Sequence, residues 1–299
     1  MVAPVLAQTK SHLCNLFKIN GSTYPATSIT LKDNATQLAI EDKIIANIPT
    51  QHPQDEIPIT LDGKAIYCVA GTLTADLVKE AASTGQFIIY GSINHNDRNY
   101  IQSYTNGAKS IKFINIDGEQ VTSLQQILDN SEASSVTFEN CNFSKVWTLL
   151  KAFSNMSNLT SFSFKGMGLT NKLTELRLMF FTCKKLESVD FCNCDFSSVN
   201  TLYSMFSNCS ALKSIDFSGC NLTSVSSTGY MFNSCSALES IDFSNCDFSN
   251  VTTKQYYMFA GCKALKEIKA IGCNKATIAF LNDRLSDAGL TEQVKLIVE

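Results

Sequence analysis

The chain is poor in the residues on which most enzymatic chemistry draws. It has three histidines (His12, His52 and His95), one tryptophan and five prolines in 299 residues. The histidines lie in unrelated contexts, and none recurs in a repeat. No GxSxG, HExxH, P-loop or GxGxxG occurs. No catalytic residue, no cofactor and no enzymatic activity are therefore expected. An excess of one charge is also missing: 24 basic residues face 27 acidic ones, a net charge of −3, which excludes a nucleic-acid binder that works by phosphate neutralisation. No apolar run approaches the roughly 18 residues of a membrane-spanning helix. The opening segment MVAPVLAQTK lacks the positive and apolar regions of a signal peptide. The expectation is a chain made and kept in a reducing compartment, unless an export signal precedes it, in which case it is secreted or displayed on a cell surface.

What the chain does have is repetition, the first thing to seek in a sequence of this size. Phenylalanines stand at Phe153, Phe180, Phe206, Phe232 and Phe259, with spacings of 27, 26, 26 and 27. Leu159, Leu186, Leu212, Leu238 and Leu265 keep the same four spacings. Three units nearly coincide: LESVDFCNCDFSSV from Leu186, LKSIDFSGCNLTSV from Leu212 and LESIDFSNCDFSNV from Leu238. Weaker copies start at Ala133, Leu159 and Leu265, and an outlying one at Ala108. Leu186, Val189, Phe191, Cys194 and Phe196 follow the leucine-rich repeat pattern. Alternation from Ser188 to Cys192 predicts a short strand, with Val189 and Phe191 inward and Ser188, Asp190 and Cys192 outward. A turn, a loop and a short helical turn such as LYSMFSNC return the chain to the next leucine. One coil cannot bury its own apolar face, but stacked coils can. The fold expected is a leucine-rich repeat solenoid with parallel β-strands, about 26–27 residues per coil, preceded by a non-repetitive α+β region.

The stretch from Tyr230 to Asp242, YMFNSCSALESID, resembles the BspA-type leucine-rich repeats of bacterial surface proteins. The resemblance covers about residues 133–273. It implies a non-enzymatic, adhesive protein displayed on a cell surface.

Nine of the twelve cysteines belong to the repeat. Cys141, Cys194, Cys220, Cys246 and Cys273 take the turn after the strand, and Met167 fills that place in one coil. Cys183, Cys209, Cys235 and Cys262 follow the helical turn. Metal binding is disfavoured because neither CxxC pairs nor histidine partners occur. Disulfides are disfavoured because parallel coils hold equivalent residues about 4.8 Å apart, whereas bridged Cβ atoms converge to about 3.8 Å. Buried free thiols are the expected state. Cys192, facing outward, is the one candidate for a reactive thiol.

Both ends of a solenoid need caps. Residues 274–299 read as a C-terminal cap. A helix over Lys275–Ala288 places Ile278, Leu281 and Leu285 inward, Gly289 ends it, and Val294, Leu296 and Val298 alternate as a closing strand. Asp283 and Asp287 read as ordinary surface charges of that helix. Residues 106–273 are the solenoid, and residues 1–105 a non-repetitive α+β domain or cap. Strands are expected at Tyr24–Leu31, Ile57–Leu61, Ala65–Val69 and Phe87–Ile93, a loop at Ala46–Asp55, and a helix from Thr74 to about Ser83. Asp97-Arg98, within NHNDRNY, is a polar loop and a minor candidate for binding.

The outward strand positions form columns across the coils. One runs Lys112, Thr137, Ser163, Asp190, Asp216, Asp242, Lys269, and beside it stand Ser135, Ser161, Ser188, Ser214 and Ser240. Aspartates at such spacing repel unless solvated or cation-bound. A calcium site, which needs six to eight oxygens in loop geometry, is not expected. The bland reading is a hydrated surface. The functional reading, on which we centre the candidate site, is a contact strip of Ser188, Asp190, Ser214, Asp216, Ser240 and Asp242 for a protein or glycan partner. The function expected is adhesion or binding. The alternative is a structural appendage or decoration protein of a bacteriophage virion, attached through residues 1–105 with the solenoid projecting. Any oligomerisation would run through that same N-terminal region.

Overall fold

The computed structural model describes residues 108–191, 194–251 and 256–299, together with Ile101 and, nearer the N-terminus, eight strands by their backbone. Those eight are β1 (Leu16–Ile19), β2 (Ser22–Pro25), β3 (Ile29–Lys32), β4 (Gln37–Ile40), β5 (Lys43–Asn47), β6 (Ile57–Leu61), β7 (Lys64–Ala70) and β8 (Gln86–Ser92). Beyond them the fold is a parallel β-solenoid. Its coils open on β9 (Ser110–Asp117), β10 (Ser135–Glu139), β11 (Ser161–Ser163), β12 (Ser188–Asp190), β13 (Ser214–Asp216), β14 (Ser240–Asp242) and β15 (Glu267–Lys269), and β16 (Lys295–Ile297) closes the stack.

The coils stack without slippage because each strand alternates small polar and large apolar residues. Ile215 and Phe217 are buried while Ser214 and Asp216 are exposed. A one-residue slip would turn Ile215 out and Asp216 in. Pairing is accordingly like with like: Ser214, Ile215 and Asp216 oppose Ser240, Ile241 and Asp242, and these oppose Glu267, Ile268 and Lys269. The ladder is registered in segments: β8–β9–β10, β11–β12, and β13–β14–β15–β16.

The interior is a double column of phenylalanine. Phe153, Phe180, Phe206, Phe232 and Phe259 stack nearly parallel, with successive centroids 5.8, 5.5, 5.6 and 6.1 Å apart. Phe191, Phe217 and Phe243 form a second stack at 4.5 and 5.5 Å, and Phe217 meets Phe206 and Phe232 edge-on. Offset and edge-to-face packing of this kind adds about 0.5–1.5 kcal/mol per pair beyond the burial of area.

The segment expected as a short helical turn consists of successive hydrogen-bonded turns. In LYSMFSNC, Met205 N–H donates to Leu202 O and Cys209 N–H to Phe206 O, while Ser204 and Asn208 take φ of 54° and 65°. A positive φ at the third residue is what a type II turn requires. The same pair recurs at Gln126 and Asn130, Lys151 and Asn155, Leu178 and Thr182, Tyr230 and Ser234, and Tyr257 and Gly261. Alternate N–H groups then point along the stack: Ser204, Phe206 and Asn208 donate to Gly229, Met231 and Asn233 of the next coil. A helix would commit these donors to carbonyls of their own segment, so the inter-coil bonding explains why the segment does not wind into one. Just before it, single-residue bridges link Ser123, Thr148, Glu175, Thr201 and Ser227 in a second parallel ladder.

The C-terminal cap forms as the sequence indicates, with two corrections. The helix spans Lys275–Asp287; Asn274 caps it by accepting from Thr277 N–H, and Gly289 follows at φ 66°. Its buried stripe is Thr277, Leu281, Arg284 and Leu285. Ile278 is only half-buried, because the facing coil end offers polar backbone to Thr277 instead. Phe248 N–H donates to Thr277 Oγ1 at 2.8 Å. Leu296 packs on the core and Val294 is buried, but Val298 lies past β16 and is exposed.

In the N-terminal region, β6, β7 and β8 match the expected strands within a residue or two. The expected strand Tyr24–Leu31 is two strands in different sheets, β2 and β3. Pro25, which has no N–H to give a ladder, ends the first. β1 and β4 were not anticipated, and β5 takes in the first two residues of the expected loop Ala46–Asp55. β6 and β7 are antiparallel, whereas β7, β8, β9 and β10 pair in parallel. The expected helix from Thr74, the three histidines, Asp97-Arg98 and Cys192 lie outside the described residues.

Candidate functional site

The candidate strip is assembled by strand register. β13 and β14 set Ser214 beside Ser240 and Asp216 beside Asp242; β11 and β12 set Ser161 beside Ser188 and Ser163 beside Asp190. Ser188, Asp190, Ser214 and Asp216 are exposed, and Ser240 and Asp242 half-buried. The six residues thus lie on one outward face, in two short registered groups.

The aspartates are not merely solvated, as the sequence reading had them. Asp216 Oδ1 accepts from Ser218 N–H at 2.7 Å and Asp242 Oδ1 from Ser244 N–H at 2.8 Å. Each closes an Asx-turn that ends its strand. Asp190 Oδ2 accepts from Ser163 Oγ at 3.0 Å across the ladder, and Lys269 Nζ lies 3.9 Å from Asp242 Oδ2. Each carboxylate thus has an oxygen held by the fold, and in Asp242 both are engaged.

Beside the serine column runs a row of alternating charge that the sequence reading missed. Lys213 Nζ meets Glu187 at 2.9 Å and Lys266 Nζ meets Glu239 at 2.8 Å, both between neighbouring coils. The Glu187 contact raises the Lys213 pKa, and the Lys266 contact lowers that of Glu239. The signal was present as Glu, Lys, Glu, Lys, one residue ahead of each strand. Exposed pairs of this type contribute little stability, but they fix which charges the strip shows.

A cleft of about 480 Å³ opens where β10 and β11 are not joined by a ladder. Thr137, Glu139, Asn140, Ser163 and Lys165 line it, with Phe138 at its base. Thr137 and Ser163 belong to the predicted column, so the strip ends at a concavity. Gly166 permits the close approach there. It has φ 80°, and a Cβ would sit 2.2 Å from Phe138 O.

None of the nine repeat cysteines forms a disulfide. Seven are buried, and four recur at one hydrogen bond: Cys183, Cys209, Cys235 and Cys262 donate to the carbonyls of Phe153, Phe180, Phe206 and Phe232 at 3.0–3.1 Å. Cys141, Cys246 and Cys273 donate likewise to Phe113, Phe217 and Phe243. Burial pushes Cys183 and Cys262 up to about 12 and Cys141 and Cys220 up to about 11. A protonated thiol is a donor and a poor nucleophile, so these groups hold structure together. Among the described residues, no cluster of histidine, cysteine and carboxylate has the makings of a metal site, and no helix is long and apolar enough to cross a membrane.

Comparison with known proteins adds one match. The family model described as a Mycoplasma protein of unknown function, DUF285, matches residues 168–271, about a third of the chain. That span holds all six strip residues and the coils of β12 to β15. No curated protein matches the chain.

Proposed function

We propose that this chain is a non-enzymatic binding or adhesion protein of BspA type, working at a bacterial surface and presenting the outer face of its solenoid to a protein or glycan. The observation that carries the reading is the register of the strip. Ser214, Asp216, Ser240 and Asp242 repeat at one coil's rise, with both aspartates oriented by turns that the fold itself makes. Weak polar contacts at a fixed repeat add into useful affinity when the ligand also repeats. The match to a repeat family of unknown function is compatible with this and names no ligand.

A second reading, a virion appendage attached through residues 1–105, draws on the absence of disulfides among the nine repeat cysteines, which suits a protein assembled in a reducing compartment.

The test is a binding screen on immobilised matrix proteins and polysaccharides, followed by two matched variants. Asp216→Asn/Asp242→Asn removes two strip charges but keeps the turns, since asparagine makes the same Asx-turn. Asp195→Asn/Asp247→Asn is the control: these carboxylates accept Ser197 N–H and Ser249 N–H in the same way but lie off the strands. A loss of tenfold or more in the first, about 1.4 kcal/mol, with none in the second supports the strip. Equal losses mean a nonspecific charge effect. No loss in the first removes the strip as the site.

A further inference from the structure

Among the described residues, the exposed large aromatics are Trp147, Tyr256 and Tyr257. All three lie along the second ladder and its turns, about half a coil from the serine–aspartate strip along the chain. From Tyr203 the rings climb coil by coil: Tyr203 to Tyr230 is 5.6 Å between centroids, and Tyr230 to Tyr257 is 5.1 Å. Tyr256 stands beside Tyr257 at 6.1 Å. Neighbouring rings are tilted by 60°, 31° and 52°, so no ring covers the whole face of the next. Tyr256 and Tyr257 are 49% and 53% exposed.

The charge pattern changes where the tyrosines begin. The turn segments 202–209, 228–235 and 256–262 contain no charged residue, whereas the two preceding coils carry Lys151 and Arg177 in the corresponding turns. Nor does packing account for these rings: the core column is complete in phenylalanine, and the tyrosines lie outside it. Tyr230 and Tyr257 even occupy left-handed positions, at φ 57° and 63°, where a bulky side chain is disfavoured.

We infer that this tyrosine ladder binds a neutral glycan chain lying along the solenoid. The inference rests on the binding reading above and goes beyond it, adding a second face and its ligand class. A pyranose ring packs its C–H bonds on an aromatic face and offers hydroxyls to phenol oxygens. Tyrosine supplies both contacts at little cost in side-chain entropy. One ring per coil gives a spacing comparable to that of successive sugars in an extended chain, so the contacts repeat with the ligand. A protein hot spot is a compact cluster within a rim that excludes water; this surface is a line, one ring wide until its last coil, where Tyr256 stands beside Tyr257. An anionic polysaccharide would need cations along the whole line, whereas lysines, Lys254 and Lys263, flank only the last turn segment in sequence.

The test uses the full chain in native gels containing hydroxyethylcellulose, laminarin or galactomannan. The variant is Tyr230→Asn/Tyr256→Ser/Tyr257→Asn, in which asparagine suits the two left-handed positions, and near-ultraviolet circular dichroism checks that the phenylalanine core is intact. The expected result is retardation of the wild type in at least one gel, at least tenfold weaker binding by the tyrosine variant, and unchanged binding by the off-strand control Asp195→Asn/Asp247→Asn. Free migration of the wild type in all three gels overturns the inference, as does equal retardation of the tyrosine variant. A concentration-dependent dimer that the tyrosine changes abolish would assign the face to a second copy and also overturn it. If the gels are blank while the screen yields a ligand lost on the strip variant, the broader binding reading stands and this one falls; if both are blank, both fall.

Discussion

The thiol of Cys209 donates to the carbonyl oxygen of Phe180, one coil earlier, at 3.1 Å. The same oxygen accepts Cys183 N–H from its own coil at 3.1 Å. One carbonyl with two lone pairs thus closes a turn within its coil and ties that coil to the next. Cys235 with Phe206 and Cys262 with Phe232 repeat the arrangement. Serine could donate too, but it would bring a more strongly hydrated oxygen into an apolar column. Cysteine is the small donor that costs least to desolvate.

This arrangement predicts a loss of stability at alkaline pH. The folded thiols titrate at about 11 to 12, above the ordinary value of 9.0. Between those values the unfolded chain releases protons that the folded chain keeps, so unfolding becomes easier as pH rises. The stabilisation is full below pH 9 and declines as pH climbs through 9 toward 11. Urea midpoints at pH 8 and 10.5 should differ more for the wild type than for a variant with Cys183, Cys209, Cys235 and Cys262 all changed to serine, which controls for lysine and tyrosine titration. Equal shifts would refute the linkage.

The column of Phe206 is expected to be intolerant of truncation. Its ring is fully buried and stacks on Phe180 and Phe232, so Phe206→Ala should cost about 3–5 kcal/mol. Chemical denaturation measures this; a cost below about 1 kcal/mol would mean that the stack is not the core.

Gly166 and Gly219 make a contrasting pair. Both have positive φ, but a Cβ at Gly166 would strike Phe138 O, whereas nothing lies within 4 Å of one at Gly219. Gly219→Ala should cost about 1–2 kcal/mol, the left-handed penalty alone. Gly166→Ala should cost more, since backbone must move. The ranking of their melting temperatures decides this, and the reverse order would contradict the close approach.

The terminal helix is predicted to act as a cap through Thr277. Thr277→Val keeps shape but strands the buried Phe248 N–H, a cost of about 1–3 kcal/mol, and Thr277→Ser should recover most of it. If Thr277→Val melts like the wild type, the helix does not seal the last coil. Asp283 and Asp287 also prove to be structural. Both pair with Arg284, the latter at 2.7 Å, and Arg284 is itself buried against Phe280. Removing them would leave a buried cation short of partners.

Most of the repeat was legible because its causes are local. The phenylalanine and leucine series, the strand Ser214–Asp216 and the Asn274-to-Gly289 helix each follow from spacing or capping. What was missed depends on neighbouring coils. Type II turns at Ser204 and Asn208 read as helix because LYSMFSNC has a helical apolar spacing, and only bonds to the next coil reveal otherwise. Asp216 read as solvated because its Asx-turn spans two residues that look like surface. The strip itself followed from alternation. The cleft beside it did not, because it arises where β10 and β11 fail to join.

The central claim is that thiol-to-carbonyl bonds interlock the coils and seal the interior, leaving recognition to the outer faces. Peptide-resolved alkylation with iodoacetamide tests it directly, on freshly prepared protein at pH 8 without reductant, native and then denatured. The account predicts that Cys141, Cys183, Cys209, Cys220, Cys235, Cys246 and Cys262 stay unlabelled while the protein is folded and label fully once it is unfolded. Rapid labelling of Cys183, Cys209, Cys235 and Cys262 in the folded protein, or their recovery as disulfides, would contradict it.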